Sequence, residues 1–182
     1  MSTTARQHTR NGFTIVEILI VVVVIGILAA IVIVSYSSVQ KKAQDTSVLS
    51  DLEATSGLVE SYRQNPNNAD EFPKDFATLA TLGIKVNKNA YMTTNSVNFV
   101  FCFNNSADAT VRYKTYALIA ESKSGNIFMM TEDGFKTYPL THADLVSGNV
   151  CSLLGASLGT SLGLASSGMY SPNTWQTWVA SN

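Results

Sequence analysis

Charge is scarce in this chain. Only 14% of its 182 residues are Asp, Glu, Lys or Arg, against about 25% in a typical soluble domain. The 12 basic and 13 acidic residues nearly cancel, to a net charge of -1, which excludes the basic excess of a duplex DNA binder. Histidine is scarcer still. His8 and His142 stand far apart, so no histidine pair offers a zinc or di-metal site. The sequence contains no GxSxG, P-loop, HExxH or dinucleotide fingerprint. Its carboxylates are scattered, and Asp108, Glu132 and Asp133 read as solvated loop charges. No catalytic residue, metal site or cofactor is expected. Proline is absent before Pro66, so nothing in the first third of the chain breaks a helix by removing a backbone donor. Cysteine is limited to Cys102 and Cys151, too far apart for a CxxC redox motif and too few for an all-cysteine zinc site. An even count suits one disulfide if this region lies outside the cytoplasm; the other reading is two buried thiols that never meet.

What the chain has instead is one long hydrophobic run. Residues 1–12 are polar, with Arg6 and Arg10 and no acid. From Ile18 to Val34 there is no polar or charged side chain, and Gly26 is the only residue that is not hydrophobic. A helix needs about 20 apolar residues to cross a bilayer. The β-branched residues of the run favour a strand in water. In lipid, a lone strand leaves its backbone groups unpaired, so the segment must be helical. A secretory signal is the weaker reading, because its apolar region spans about 7–15 residues and ends in a small-residue cleavage site. Here the small pair Ala29-Ala30 is followed by more Ile and Val.

Glu17 does not fit a plain membrane anchor. A carboxylate costs about 2.5–3.5 kcal/mol at the centre of a spanning helix and less near its end, and residues of this kind usually have a partner. No basic residue follows within a helical turn. Cleavage between Gly12 and Phe13 creates a new α-amino group on Phe13, about one turn before Glu17.

The run GFTIVEILIVVVVIGILAA resembles the class III signal of type IV pilins and type II secretion pseudopilins. It combines a Gly-Phe junction, Thr at the next position, Glu four residues after the Phe and an unbroken apolar helix. The resemblance implies a leader cut after Gly12 by a membrane-embedded aspartyl peptidase, N-methylation of Phe13, and a role for Glu17 in assembly. In that role Glu17 pairs with the Phe13 ammonium of a neighbouring subunit and sets the axial register. Many members carry a proline near the position of Val34; its absence here points to a more continuous helix. The resemblance also implies that Cys102 and Cys151 are bridged, as in many pilins.

The expected fold is α+β, a pilin fold with a long N-terminal helix packed on a small antiparallel sheet. The expected organisation is a cleaved leader over 1–12, a transmembrane and filament-core helix over 13–34, an amphipathic continuation over 35–64 and a globular head over 65–182. Val48, Leu52, Thr55, Val59 and Tyr62 form one helix face, Asn65-Pro66-Asn67-Asn68 stops the helix, and the helix from about 14 to 64 measures roughly 75 Å. Phe72-Pro73 pins a loop that carries a short helix, Asp75 to Leu82, ended by Gly83. Three or four strands are expected at 96–104, 110–121, 126–131 and 135–140. In the second of these, Val111, Tyr113, Thr115 and Ala117 share a face. The Ser- and Gly-rich stretch 155–168 reads as a loose loop or a surface segment. Trp175 and Trp178 read as core or sheet-edge packing. Asn104-Asn105-Ser106 matches an N-glycosylation tripeptide, a pattern common by chance.

The function expected from the resemblance is a structural prepilin subunit of a type IV pilus-like filament. The alternatives are a pseudopilin of type II secretion or of a competence pilus, and a membrane-anchored binding or adhesin module that never polymerises. The partners so implied are copies of itself in a helical filament, the prepilin peptidase and methylase, the assembly platform and the membrane; no nucleic acid is indicated. The precursor is placed in the cytoplasmic membrane with its N-terminus inside, and the assembled subunit outside the cell. Arg6 and Arg10 favour that orientation by the positive-inside rule, whereas Lys41 and Lys42 beyond the span oppose it.

Overall fold

The computed structural model describes residues 12–93, 97–158, 162–167, 169–170, 174–176 and 179–181. Residues 1–11, expected to belong to a leader, and Trp178 lie outside the described residues. The chain forms two compact units, Met1–Gln40 and Lys41–Asn182.

Helix α1, Ile15–Gln64, contains no proline and runs without interruption. In the first unit every residue from Gly12 to Ile33 is exposed. It is the one described helix long and apolar enough to cross a membrane. In the second unit the helix is amphipathic. Val48, Leu52, Thr55 and Val59 are buried, and Tyr62 is half-buried. The spacing of these residues places them on one side of a 3.6-residue helix. The helix stops where Asn65 caps a 3₁₀ turn at Pro66–Asn68 by accepting the Asn67 N–H at 3.0 Å. Helix α2, Phe76–Thr81, starts at Asp75, whose Oδ1 accepts from the Thr78 amide at 2.8 Å. Gly83, at φ 66°, takes the left-handed turn that follows. Phe72 is buried and meets Tyr116 edge-on at 4.6 Å.

Among the described residues the main sheet has five strands, not three or four. After a two-residue strand β1 (Lys85–Val86) come β2 (Phe99–Asn104), β3 (Tyr116–Glu121), β4 (Ile127–Thr131), β5 (Gly134–Lys136) and β6 (Leu162–Ser167). The sheet order is β5-β4-β3-β2-β6, all antiparallel. Strand β1 pairs in parallel with Ala180–Ser181. The additional strand β6 comes from the stretch read as a loop. Its Leu, Ala and Ser residues carry little β signal, and pairing to the edge of β2 selects the extended form. The stretch before it is helix α4, Val150–Leu158, and ahead of that lies α3, His142–Val146. The expected strand at 110–121 begins only at Tyr116. Residues 109–113 form turns, with Tyr113 at φ 58° and the Arg112 guanidinium donating to the carbonyls of Ser106 and Ala107. Val111 is exposed, so the alternation counted from 110 does not reflect a buried face.

Both faces of the sheet are buried. Phe99, Phe101, Tyr116, Leu118, Ala120 and Met130 pack in one core with Val48, Leu52 and Val59 of α1. Val100, Cys102, Ala117, Ile119 and Met129 alternate with them and pack on the other side with Leu145 of α3 and with Val150, Cys151 and Leu154 of α4. A strand covered on both faces has no solvent-facing positions, which is why Tyr116–Glu121 is buried along its whole length.

Candidate functional site: the start of the long helix

The residues singled out by the sequence lie at the beginning of α1. Gly12, Phe13 and Thr14 are non-helical, and the helix begins at Ile15. What stops it there is local chemistry. The first intrahelical bond runs from the Ile18 amide to the Thr14 carbonyl at 3.4 Å, which makes Thr14 the N-cap and Glu17 the third helical residue. The Thr14 hydroxyl accepts from the Glu17 amide at 3.2 Å. In return Glu17 Oε2 accepts from the Thr14 amide at 2.7 Å and from the Thr14 hydroxyl at 2.8 Å. This is a reciprocal capping box, which satisfies two amides that a helix start otherwise leaves unpaired.

The capping box changes the reading of Glu17. In the sequence that carboxylate has no charged partner within a helical turn before cleavage. The structure gives it a partner three residues away, and that partner is neutral. The signal was present, since Thr-x-x-Glu ahead of an apolar run is the sequence form of the box. The two oxygens are used unequally. Oε2 takes both Thr14 donors, and Oε1 accepts no hydrogen bond among the described residues. A negative charge in the first turn also opposes the positive end of the helix dipole. The site is therefore a fixed carboxylate with one free oxygen, beside a non-helical Gly12-Phe13 peptide, at the head of an apolar helix.

Residues 7–33 match the prokaryotic N-terminal methylation motif. The chain is 32% identical, over 70% of its own length and 86% of the relative's, to the type IV wide pilus major component PilA4 of Thermus thermophilus. The chain belongs to the family of type IV pilins and pseudopilins. Other pilin-family relatives align over shorter stretches. The type II secretion system core protein G of Klebsiella pneumoniae is 37% identical over 31% of this chain and 41% of that protein. Fimbrial protein Q of Moraxella bovis is 42% identical over 26% of this chain and 31% of that protein. No solved structure matches the chain significantly. Membership makes this pilin-family chain a structural subunit, not an enzyme.

The other residues named from the sequence sit in the head of this pilin-family chain. Cys102 on β2 and Cys151 on α4 form a disulfide, with Cα atoms 5.5 Å apart and both residues buried. His142 heads α3, where its Nδ1 lies 2.8 and 3.0 Å from the two carboxylate oxygens of Glu121. Asn104 is 2% exposed, and its Oδ1 accepts from the Ser106 amide at 2.9 Å. The first residue of the glycosylation tripeptide is thus folded into the end of β2. Asp108, Glu132 and Asp133 are exposed in turns. Trp175 is half-buried and meets Tyr91 edge-on at 5.4 Å.

Sequence reasoning missed two buried carboxylates. Asp51 on α1 accepts from the Asn87 amide at 2.8 Å and from the Tyr91 hydroxyl at 3.1 Å. Burial raises its pKa above the ordinary value. Glu121 is 2% exposed at the end of β3. Each fastens one element of the head to another.

Proposed function

We propose that this chain is a prepilin: cut between Gly12 and Phe13 by a membrane-embedded prepilin peptidase, N-methylated at Phe13, and polymerised by an assembly platform into a helical filament through α1. Residues 1–12 are its leader, 13–34 its membrane and filament-core segment, 35–64 the continuation of the spine and 65–182 its head. The precursor is held in the cytoplasmic membrane with the leader inside, and the assembled subunit stands outside the cell. The observation that carries this reading is an apolar helix with every residue from Gly12 to Ile33 exposed and a single carboxylate at its start. In the bilayer that surface faces lipid; in the filament it faces copies of itself. The exchange is close to neutral for apolar groups, because lipid tails are about as apolar as Leu. Glu17 then decides the register. Its free Oε1 pairs with the Phe13 ammonium of a neighbour and offsets the cost of carrying a charge into the bundle.

Glu17→Gln tests the reading cleanly, because Gln at this position still completes a capping box while losing the charge. The expected result is a mature N-terminus at methylated Phe13 by mass spectrometry and no filaments by electron microscopy. Normal filaments from Glu17→Gln would sink the register role. A wild-type protein that keeps residue 1 would sink the prepilin reading.

A pseudopilin of type II secretion is the second reading, favoured by the core protein G relatives. Abundant long filaments sheared from wild-type cells support the pilus subunit; their absence together with a secretion defect on deletion supports the pseudopilin.

A further inference from the structure

We infer that Thr14 is a positioning residue for leader removal: by capping α1 it keeps the Gly12-Phe13 peptide outside the helix, where a peptidase can attack it. The inference rests on the cleavage site proposed above. Water must reach the Gly12 carbonyl carbon, and the Phe13 nitrogen must leave with a proton. Inside a helix that peptide is locked into the backbone hydrogen-bond ladder and wrapped by side chains, and it must first be unwound. Unwinding is least affordable where the flanking chain meets lipid, because freed backbone groups find no water there. The structure removes that step. Gly12, Phe13 and Thr14 are non-helical and exposed, and the helix is closed behind them by the Thr14 and Glu17 bonds of 2.7, 2.8 and 3.2 Å.

Without the Thr14 hydroxyl the boundary at residue 14 keeps only the Thr14 amide bond to Glu17 Oε2 and loses the side-chain cap on the Glu17 amide. The upstream residues with good N-cap preference are Gly12 and Asn11. A helix capped at Gly12 takes Phe13 into its first turn, one capped at Asn11 takes both residues, and either draws the scissile peptide into helical backbone. The hydroxyl, not the bulk of the side chain, is what matters. Ser keeps it, and Val has the shape of Thr without it.

The test is pulse–chase processing of the full-length precursor in membranes that contain the prepilin peptidase, with the mature N-terminus read by mass spectrometry. Thr14→Ser should be cut within about twofold of wild type, and Thr14→Val about fivefold more slowly, the factor that corresponds to a lost N-cap. Both should yield Phe13 as first residue. Backbone NMR of the same precursors in micelles should show helical shifts starting at Ile15 in wild type and Thr14→Ser, and reaching Phe13 in Thr14→Val. Wild type cut at Phe13 together with Thr14→Val cut at the wild-type rate would overturn the inference and leave the cleavage site standing. Equal slowing of the Ser and Val variants would also overturn it, since the loss would then follow side-chain fit in the peptidase and not the cap. Wild type that keeps its leader would remove the cleavage site and the inference together.

Discussion

The disulfide from Cys102 to Cys151 ties β2 to α4 across the second core of the head. It closes a loop with a sequence separation of 49 residues, for which chain entropy gives about 4 kcal/mol of stabilisation. Strand β6, on the outer side of β2, follows α4 in the chain. Cys102→Ser with Cys151→Ser should therefore loosen α4 and β6 before the rest of the head. Hydrogen exchange should show early loss of protection in 150–158 and 162–167, with β3 and β4 retaining theirs. Uniform loss across the whole sheet would show that the bridge supports both cores equally.

His142 holds the other end of this covering layer. Glu121 is buried at 2% exposure, and His142 supplies the side-chain donor that reaches its carboxylate among the described residues. Truncating the donor leaves a buried acceptor unpaired, at a cost of about 1–3 kcal/mol. His142→Ala should be destabilised by that amount in denaturant titrations. Adding Glu121→Leu should recover part of the loss, because a pair replaced on both sides by apolar groups leaves nothing unsatisfied. A double variant as unstable as the sum of the two single ones would exclude the coupling.

The helix start and most of the fold class were legible in the sequence because their signals are local. The apolar run, the stripe Val48-Leu52-Val59, the short helix after Asp75 and the turn at Gly83 are all set by residues within a few positions of one another. The second face of the sheet was not legible. Val100, Cys102, Ala117 and Ile119 look the same whether one face or both are covered, and the covering helices α3 and α4 lie in a stretch whose Ser and Gly content suggests loop. Strand β6 is held by its partner β2 and not by its own residues. The turn at 109–113 was hidden by chance alternation, and only the left-handed Tyr113 and the bonds of Arg112 reveal it. At the site itself, the apolar run makes Glu17 stand out in the sequence, but its nearest partner is a hydroxyl three residues away and not a charge.

Asn104 gives a negative prediction. Its side chain is buried, and its Oδ1 is occupied by the Ser106 amide. A glycosyltransferase needs that amide nitrogen in solvent on an extended loop, so the folded head cannot be modified there. Peptide mass mapping of the mature protein should find residue 104 unmodified, and Asn104→Ala should lower stability without changing any glycan signal.

Two aspartates on the head portion of α1 should give opposite pH signatures. Asp51 is buried, and desolvation raises its pKa despite the bonds from Asn87 and Tyr91. The folded state then binds more protons than the unfolded one, so the contribution of Asp51 is greatest below its unfolded value. That contribution falls as pH rises from about 3.9 through the raised folded value. At Asp45 burial also pushes upward, but the hydrogen bonds from Ser124, Ser122 and Asn126 outweigh it, and its pKa is lowered. Its contribution is present above the unfolded value and lost as pH falls through the lowered folded one. Denaturant titrations of the detergent-solubilised protein from about pH 3 to pH 7 should separate the two. Asp51→Asn keeps an acceptor for Tyr91 and should gain relative to wild type as pH rises above about 4. Asp45→Asn should lose relative to wild type at neutral pH and converge with it in acid. Tyr91→Phe should cost about 1.5–3 kcal/mol near neutrality, the scale of a hydrogen bond to a charged group. That cost should shrink as Asp51 is protonated; a cost that stays constant over the whole range would mean that Tyr91 contributes through packing alone.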